Sequence, residues 1–380
     1  MEEEIKNNKQ MKILLLAPAS SIHTIRWAKA FSDRGHVIYL VSLANHKLSD
    51  ESLPDSVCVH YLHVTGTKGY YLNAKELRRF CKDICPDVIN VHYASGYGTL
   101  ARKAKIHPLV LNIWGSDIYD FPNESIVKKA ILKRNINNAE AIASTSNCMA
   151  QEMRKVVGSY NKNIAITPFG VDVERFKPMD IDNKSKNAFK IGTVKALSYK
   201  YGIDTILIAF SIIVEKWKDT DCKGKTPQLF ICGRGDNRDE YIKLRKQLEL
   251  ENYVQIEDYV PHEKVPALLN SFDLCCFGSR YESFGVSAVE AMACEIPVVV
   301  TDVDGFREVT VDGYTGYIVQ RDNPAAMAEK IWQLYQNDSL RRELGKNGRK
   351  QVIKHYKWDN NVTLLEDVLK EQAIKWEKNA

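Results

Sequence analysis

Two acidic residues flank a short turn in the stretch SRYESFGVSAVEAMACEIPVVV, residues 279–300. The preceding residues LCCFG are typical of a buried strand, so Glu282 is expected in the loop at the carboxyl end of that strand. Glu290 follows within a run of good helix formers, about two turns into the predicted helix. These two carboxylates are therefore candidates for binding or catalysis at the carboxyl ends of the strands.

The predicted start of that helix is suited to an anion. The backbone amides near Gly285 and Val286 lack intrahelical acceptors, which favours a diphosphate. A carboxylate further along the helix can accept paired hydrogen bonds from a ribose diol, and one in the turn can do the same for sugar hydroxyls. The pattern indicates a pocket for a nucleotide diphosphate sugar. The alternative is that Glu282 and Glu290 are exposed charges at a helix end.

The elements that must position these residues follow an α/β pattern. In the first half, a helix is predicted at 23–35 and strands at 12–18, 36–43, 87–93, 109–114 and 139–145. After a polar segment at 177–189, strands are predicted at 189–194, 228–233, 253–257, 274–278, 297–301 and 316–319, and a last helix at 360–378. Because these strands are apolar without alternation, we expect two doubly wound parallel sheets, each covered by helices on both faces.

Composition agrees with a folded protein of two domains. The 380 residues are 44% hydrophobic and 27% charged. The sequence has no apolar run of membrane-spanning length, and its start, MEEEIKNNKQMK, is acidic where a signal peptide is basic, so a cytoplasmic location is expected. The nine cysteines lack zinc-like spacing and are expected to be reduced thiols.

The net charge of +5 is unevenly distributed. The excess of basic residues lies in the first half, notably in KELRRFCK, RKAK and KKAILKR. Such clusters are expected either to be solvated helix faces or to contact an anionic membrane or substrate. Nucleic acid is not an expected partner, because these segments lack interleaved aromatic residues.

The stretch ESFGVSAVEAMACEIPVVVTDVDGFREVTVDGYTGYIV closely resembles the donor-site signature of retaining glycosyltransferases of family 4. ITPFGVDVERFKP (166–178), ICGRGD (231–236) and HYKWD resemble further motifs of that family. The resemblance implies the GT-B fold, with two Rossmann-like domains facing across a cleft. We expect an acceptor domain at 1–176, a donor domain at 189–357, and a helix at 358–380 packing back on the first domain.

The resemblance also assigns the donor site. It implies that Glu282 contacts the donor sugar and that Glu290 binds the ribose. The family carries an Arg and a Lys whose charge stabilises the leaving diphosphate. Here Lys200 matches the Lys, but Thr193 stands near the usual place of the Arg, so Lys195 is a substitute candidate that is equally interpreted as a solvated loop lysine. The other implied donor-binding residues are Gly233, Arg234, Ser283, Phe284, Gly285 and Val286.

The first domain departs from the family's pattern at two places. Ser20 and Ser21 stand where paired glycines are usual, and Trp114 stands in place of a histidine that contacts the donor sugar. His92 is a candidate for that polar contact, or a structural histidine.

Two further residues of the first domain are left with two interpretations each. Asp117 either faces acceptor or sugar hydroxyls or caps a helix. His23 lies in the acceptor pocket or simply at a helix start.

The implied reaction transfers a sugar from a nucleotide diphosphate donor to a hydroxyl acceptor with retention of configuration. UDP-N-acetylglucosamine or another UDP-hexose is the expected donor, ahead of GDP-mannose. A glycan or lipid-linked acceptor is expected, in bacterial surface glycan or glycolipid synthesis, with peripheral contact to an anionic membrane. No cofactor is expected. Asp302 and Asp304 suggest a metal site, but the family needs no divalent ion, because a helix start and lysines replace its charge.

Other functions on the same fold stay open at this point. A UDP-sugar epimerase would need acid–base carboxylates and no acceptor, and a phosphorylase would hold pyridoxal phosphate on a lysine. A degenerate, non-catalytic subunit is favoured by Trp114 and the missing glycine pair. Intact Glu282, Glu290 and Lys200 argue against the degenerate subunit.

Overall fold

The computed structural model describes residues 10–48, 53–158, 160, 162, 164–180 and 187–379. Part of the predicted linker at 177–189 lies outside these residues. The chain divides into two compact units. Unit 1 comprises Met1–Phe169 and Asp359–Ala380, and unit 2 comprises Gly170–Trp358.

Unit 1 is built on a parallel sheet of seven strands in the order β3-β2-β1-β4-β5-β6-β7. The strands are β1 (Lys12–Leu16), β2 (Val37–Leu43), β3 (Val57–Leu62), β4 (Val88–His92), β5 (Leu109–Ile113), β6 (Ala141–Ser144) and β7 (Ile164–Ile166). The helices are α1 (Ile22–Asp33), α2 (Gly66–Leu72), α3 (Ala74–Ile84), α4 (Gly96–Ala104), α5 (Ser116–Tyr119), α6 (Ile126–Asn138) and α7 (Asn147–Val157). Every residue of β4 and β5 is buried, as expected of strands covered on both faces.

Unit 2 repeats this design with six parallel strands in the order β10-β9-β8-β11-β12-β13. The strands are β8 (Ala188–Val194), β9 (Thr226–Cys232), β10 (Val254–Glu257), β11 (Leu274–Phe277), β12 (Val298–Thr301) and β13 (Gly316–Val319). The helices are α8 (Ile203–Asp219), α9 (Arg238–Gln247), α10 (Val265–Asn270), α11 (Val286–Ala293), α12 (Asp304–Val309), α13 (Pro324–Gln336) and α14 (Asp338–His355). The last helix, α15 (Trp358–Asn379), belongs to unit 1 from Asp359 onwards. The predicted α/β class is confirmed in both units.

Both sheets reverse their strand order at one point, between β1 and β4 in unit 1 and between β8 and β11 in unit 2. Doubly wound sheets bind ligands beyond the carboxyl ends of the strands at such a switch point. A ligand site in unit 2 is therefore expected at the residues that follow β8 and β11.

The structure adds two strands to those predicted and shifts one helix. β3 was missed because VCVHYL mixes polar and apolar residues, and β7 because it has only three residues. The helix predicted at 23–35 runs instead from Ile22 to Asp33. Gly35 adopts φ +85° just beyond it, a left-handed conformation that suits glycine after a helix end.

A cluster of charges fastens α15 within unit 1. Glu366 has a side chain only 9% exposed, and its carboxylate contacts Arg34 Nη1 at 2.5 Å, Lys370 Nζ at 2.6 Å and His36 Nε2 at 3.0 Å. Burial would raise the pKa of Glu366, but Lys370, Arg34 and His36 lower it to about 2. The ionised carboxylate is thus stabilised in the folded state.

The Glu366→Gln substitution is expected to destabilise unit 1 by about 1–3 kcal/mol at pH 7, since it removes a buried anion that pairs with the partly exposed Arg34 and Lys370. In the wild type, this contribution is present above the ordinary pKa of 4.5 and is lost as the pH falls from there towards 2. Thermal unfolding from pH 7 to pH 3 measures both effects. Glu371→Gln, which alters an exposed ion pair on the same helix, is the control and should change the melting temperature little. Equal melting temperatures for the two variants would contradict this account.

Candidate active site

The loop between β11 and α11 carries the predicted donor-binding turn. Gly285 precedes α11 with φ +98° and ψ 44°, and a Cβ atom there would lie 2.8 Å from Phe306 Cδ1. The amide of Gly305 donates a hydrogen bond of 3.1 Å to the Glu282 carbonyl oxygen. The turn is therefore fixed against α12, and glycine at 285 meets both a conformational and a steric requirement.

Lys195 and Glu282 come together at the switch point of unit 2. Lys195 directly follows β8, and its Nζ lies 2.6 Å from Glu282 Oε2, with side chains 12% and 11% exposed. Burial would lower the pKa of Lys195, but the negative charge of Glu282, with smaller contributions from Tyr201 and Glu290, raises it. Lys195 is therefore a buried, paired cation, and the interpretation as a solvated loop lysine is wrong.

Lys200 lies on a short helical turn, Tyr199–Tyr201, next to this pair. The Nζ atoms of Lys195 and Lys200 lie 4.7 and 6.0 Å from the centre of the same ring, that of Tyr201. Both ammonium groups therefore lie close to the Tyr201 ring, near the carboxyl end of β8.

Arg280 holds the Lys200 turn in place, a role that the sequence did not suggest. Its amide donates to the Lys200 carbonyl oxygen at 2.8 Å, and its Nη1 donates to the Tyr199 carbonyl oxygen at 2.7 Å. The guanidinium also binds both carboxylate oxygens of Asp204, at 2.7 and 3.1 Å. Bidentate pairing of this kind fixes orientation as well as charge.

Glu290 is the second carboxylate of the predicted site. Because α11 begins at Val286, Glu290 lies about one turn into the helix, not two as predicted. Its side chain is 10% exposed, and Oε1 lies 3.0 Å from Nε2 of His262. His262 lies on the turn His262–Lys264 after β10 and was missed, because no local pattern in YVPHEK indicates a partner 28 residues away.

The glycine turn after β9 packs directly on the Lys195 loop. The Lys195 amide donates to the Cys232 carbonyl oxygen at 3.0 Å, and a Cβ atom at Gly233 would overlap the Lys195 carbonyl oxygen. Arg234 is exposed, and its guanidinium lies 5.5 Å from the centre of the Tyr259 ring. Gly233 therefore permits a close approach of two backbone segments at the site.

The other residues of the donor turn differ in exposure. Ser283 and Val286 are half-buried. Phe284 is 1% exposed, and its ring lies 5.5 Å from that of Tyr356 in an edge-to-face contact. Phe284 thus supports the turn from within unit 2.

Three predicted residues of unit 1, His23, His92 and Trp114, lie in an aromatic cluster near the carboxyl ends of β4 and β5. The His92 and Trp114 rings are 4.0 Å apart, and His23 stacks on Phe169 at 4.2 Å. His92 is fully buried, and neither ring nitrogen has a hydrogen-bond partner among the described residues. Burial, with a smaller effect of His23, lowers the pKa of His92 well below its ordinary value, so its imidazole is neutral.

Asp117 organises the loops around this cluster. It is 1% exposed, and its carboxylate accepts hydrogen bonds from the amides of Ala94, Trp114 and Gly115 at 2.8, 3.1 and 2.9 Å. Burial raises the pKa of Asp117 although these hydrogen bonds oppose the rise. The carboxylate therefore joins the backbone of the two loops that follow β4 and β5.

The loop after β1 carries Ser20 and Ser21. The Ser20 amide donates to the His46 carbonyl oxygen at 3.1 Å, and Ser21 precedes α1 at its N-cap position. Ser20 is exposed and Ser21 is half-buried. They lie at the same edge of the unit 1 sheet as His92.

Asp302 has protein partners in this structure. Its carboxylate accepts a hydrogen bond from the Arg321 amide at 2.8 Å and lies 3.5 Å from Arg307 Nη2. Within the described ranges, the side chains of His, Cys, Asp and Glu form no group of three that would hold a metal ion. In the same ranges, no helix has the length and apolar character to cross a bilayer.

Comparison with known proteins identifies the class. Residues 175–351 match the family model "Glycosyl transferases group 1", and residues 12–146 match "Glycosyl transferase 4-like". An uncharacterized glycosyltransferase of Methanocaldococcus jannaschii is 27% identical over 85% of this chain and 87% of its own length. N-acetyl-alpha-D-glucosaminyl L-malate synthase of Bacillus anthracis is 24% identical, covering 90% of both. The chain belongs to the group 1 glycosyltransferases and is an enzyme.

Similarity to solved structures identifies the fold of this chain. Sucrose-phosphate synthase of Thermosynechococcus elongatus superposes with a TM-score of 0.80 at 17% identity, covering 95% of this chain and 98% of its own. HepE of Anabaena, crystallised with UDP, superposes with a TM-score of 0.78 at 18% identity, covering 95% and 100%. The fold is GT-B, as the sequence motifs implied.

Proposed function

We propose that this enzyme transfers a hexose from a nucleotide diphosphate donor, preferably a UDP-sugar, to a hydroxyl acceptor with retention of configuration. The observation that carries this proposal is the pairing of Lys195 with Glu282 beside the start of α11, with Lys200 on the adjacent turn. This arrangement provides two cations and the first amides of a helix for a diphosphate. It also provides a carboxylate for sugar hydroxyls.

The proposed reaction breaks the bond between the anomeric carbon and the diphosphate oxygen. Negative charge then develops on the leaving phosphate, where Lys195, Lys200 and the amides of α11 stabilise it. The acceptor hydroxyl attacks from the same face, and the departing phosphate oxygen takes its proton. No side chain acts as a nucleophile. Glu282 would bind the sugar and keep Lys195 oriented, while Glu290 would bind the ribose.

The names and bound ligands of similar proteins support the choice of donor. HepE has been crystallised with UDP and with UDP-glucose, and the malate synthase is named for an N-acetylglucosaminyl product. CapM of Staphylococcus aureus, 29% identical over 61% of this chain, is named for capsular polysaccharide biosynthesis. We therefore propose UDP-N-acetylglucosamine or UDP-glucose as donor and a surface glycan or lipid-linked acceptor. We also propose that the enzyme is cytoplasmic and makes peripheral contact with an anionic membrane.

A panel of nucleotide sugars tests this function. The purified protein is incubated with UDP-, GDP- and ADP-sugars, and slow hydrolysis and thermal stabilisation are recorded, with the anomer of the product read by NMR. We expect UDP-sugars to stabilise the protein most and hydrolysis of the α-anomeric donor to release the sugar first as its α-anomer. An inverted product, conversion of UDP-N-acetylglucosamine without acceptor into its epimer, or no response to any nucleotide sugar would each contradict the proposal.

A further inference from the structure

Helix α6 in unit 1 begins with two apolar residues that face solvent. Ile126 is 89% exposed and Val127 is 67% exposed. The helix has the sequence IVKKAILKRNINN, with four basic residues and no acidic ones, and it buries only Leu132, Asn135 and Ile136. An apolar tip on a basic helix is typical of elements that bind the surface of an anionic bilayer.

The basic charge of α6 continues over the neighbouring helices. Arg102 Nε on α4 donates to Asn135 Oδ1 on α6 at 2.8 Å, which joins these two helices. Arg78 on α3 donates to the carbonyl oxygens of Ala104 and Lys103 at 2.7 and 3.1 Å, which joins α3 to α4. We call this surface the basic face; its cations are Lys75, Arg78, Arg79, Lys82, Arg102, Lys103, Lys105, Lys128, Lys129, Lys133 and Arg134.

Few acidic residues offset this charge. On α3, α4 and α6 the sequence places only Glu76 and Asp83. Glu124, just before α6, also pairs with Lys128 of the basic face. Glu76 is engaged by two histidines, with Oε1 lying 2.7 Å from His63 Nδ1 and 3.4 Å from His60 Nε2. The basic face therefore presents a strong net positive charge.

A second apolar site adjoins the basic face. Tyr71 and Leu72 at the end of α2 are 40% and 64% exposed. Lys103 Nζ lies 5.3 Å from the centre of the Tyr71 ring, so this site borders α4. Exposed apolar side chains thus occur at two positions around the same cations.

We propose that the basic face docks on an anionic lipid bilayer, with Ile126 and Val127 entering the headgroup region and the surrounding lysines and arginines contacting lipid phosphates. Each cation near such a surface adds to the attraction, and the apolar tip adds burial that an aqueous polyanion cannot provide. The inference deepens the proposed function, on which it rests for a lipid-linked acceptor. α6 starts after the carboxyl end of β5, the sheet edge where Trp114 also lies.

Other occupants fit this surface less well. A second copy of the chain in a two-fold dimer would bring identical patches together, and hence like charges into contact. A nucleic acid would bind the cations but would leave Ile126 and Val127 without a role. Both are outcomes that the experiment below can recognise.

Vesicle flotation tests the docking. Wild-type protein is mixed at low salt with vesicles of neutral phosphatidylcholine or of phosphatidylcholine with phosphatidylglycerol, and binding is quantified after density-gradient centrifugation. We expect binding to the anionic vesicles only, falling at high salt. We expect Ile126→Ser with Val127→Ser, and separately Lys129→Glu with Lys133→Glu, each to weaken binding at least about tenfold.

Matched controls lie on α14 in unit 2. Ile353→Ser removes another exposed apolar side chain, and Lys346→Glu with Lys350→Glu reverses two exposed lysines at the same spacing as Lys129 and Lys133. These variants should float like the wild type. Hydrolysis of UDP-sugars in solution should be unchanged in every variant, so a failure of docking is distinguishable from a failure of the proposed function.

Three results would overturn the docking proposal. The first is equal flotation of the wild type and the α6 variants. The second is a dimer in sedimentation equilibrium that Ile126→Ser with Val127→Ser dissociates. The third is tight binding to DNA or RNA without binding to anionic vesicles. Normal flotation of a protein that acts on no nucleotide sugar would support docking and count against the proposed function.

Discussion

The Lys195→Met substitution is expected to lower kcat about 100- to 1,000-fold, the usual cost of removing one group that stabilises transition-state charge. Methionine keeps the length and volume of the side chain but removes its cation. Lys195 is buried beside Glu282, in a setting where a charge acts more strongly than in water. Steady-state rates with a saturating UDP-sugar measure the effect.

Two further variants separate chemistry from stability. Lys190→Met alters a half-buried lysine on the same strand β8, whose Nζ lies 5.5 Å from the centre of the Phe230 ring, and should leave kcat nearly unchanged. Lys195→Met combined with Glu282→Gln removes the unpaired carboxylate, so it should restore thermal stability but not activity. Recovery of activity in the double variant would show that Lys195 serves only to neutralise Glu282.

The Glu290→Ala substitution is expected to raise KM for the donor about 10- to 100-fold, because hydrogen bonds to a charged group contribute about 1.5–3 kcal/mol each. kcat should change much less, since the ribose is bound alike in ground and transition states. His262→Ala should raise KM for the donor by a smaller factor, because His262 acts through its hydrogen bond with Glu290. His262→Gln keeps a hydrogen-bond donor and should rescue part of the loss.

A donor analogue tests the role of Glu290 more specifically than stability or overall rate. With a 2′-deoxyribose donor, the wild type should lose kcat/KM by a factor similar to that of Glu290→Ala, and the variant should no longer distinguish the two donors. A Glu290→Ala enzyme that still prefers the ribose donor as strongly as the wild type would refute ribose binding at this position.

Strands and turns of the site could be predicted because they depend on local sequence. The apolar run LCCF, followed by SRYESFG, indicates a buried strand and a loop at its carboxyl end, and β11 and the Gly285 turn lie there. Glycine at 285 also meets a local need, a backbone with φ +98°. These features require no knowledge of distant contacts.

The partners of the site residues could not be predicted in the same way. Glu282 and Lys195 are 87 positions apart, and they meet only because β8 and β11 are neighbours in the sheet. Arg280 was not selected because its contacts with Asp204 and the Lys200 turn depend on the same strand pairing. In unit 1, the exposed Ile126 and Val127 occupy a segment whose sequence alone does not show which helix face packs inward.

The most direct test of the central claim is a crystal structure of the protein grown with saturating UDP. We predict the diphosphate within hydrogen-bond distance of the amides of Gly285 and Val286 and of Lys195 Nζ, with the ribose on Glu290. Clear density for UDP at another place, or an empty site at a concentration that stabilises the protein against heat, would contradict the account.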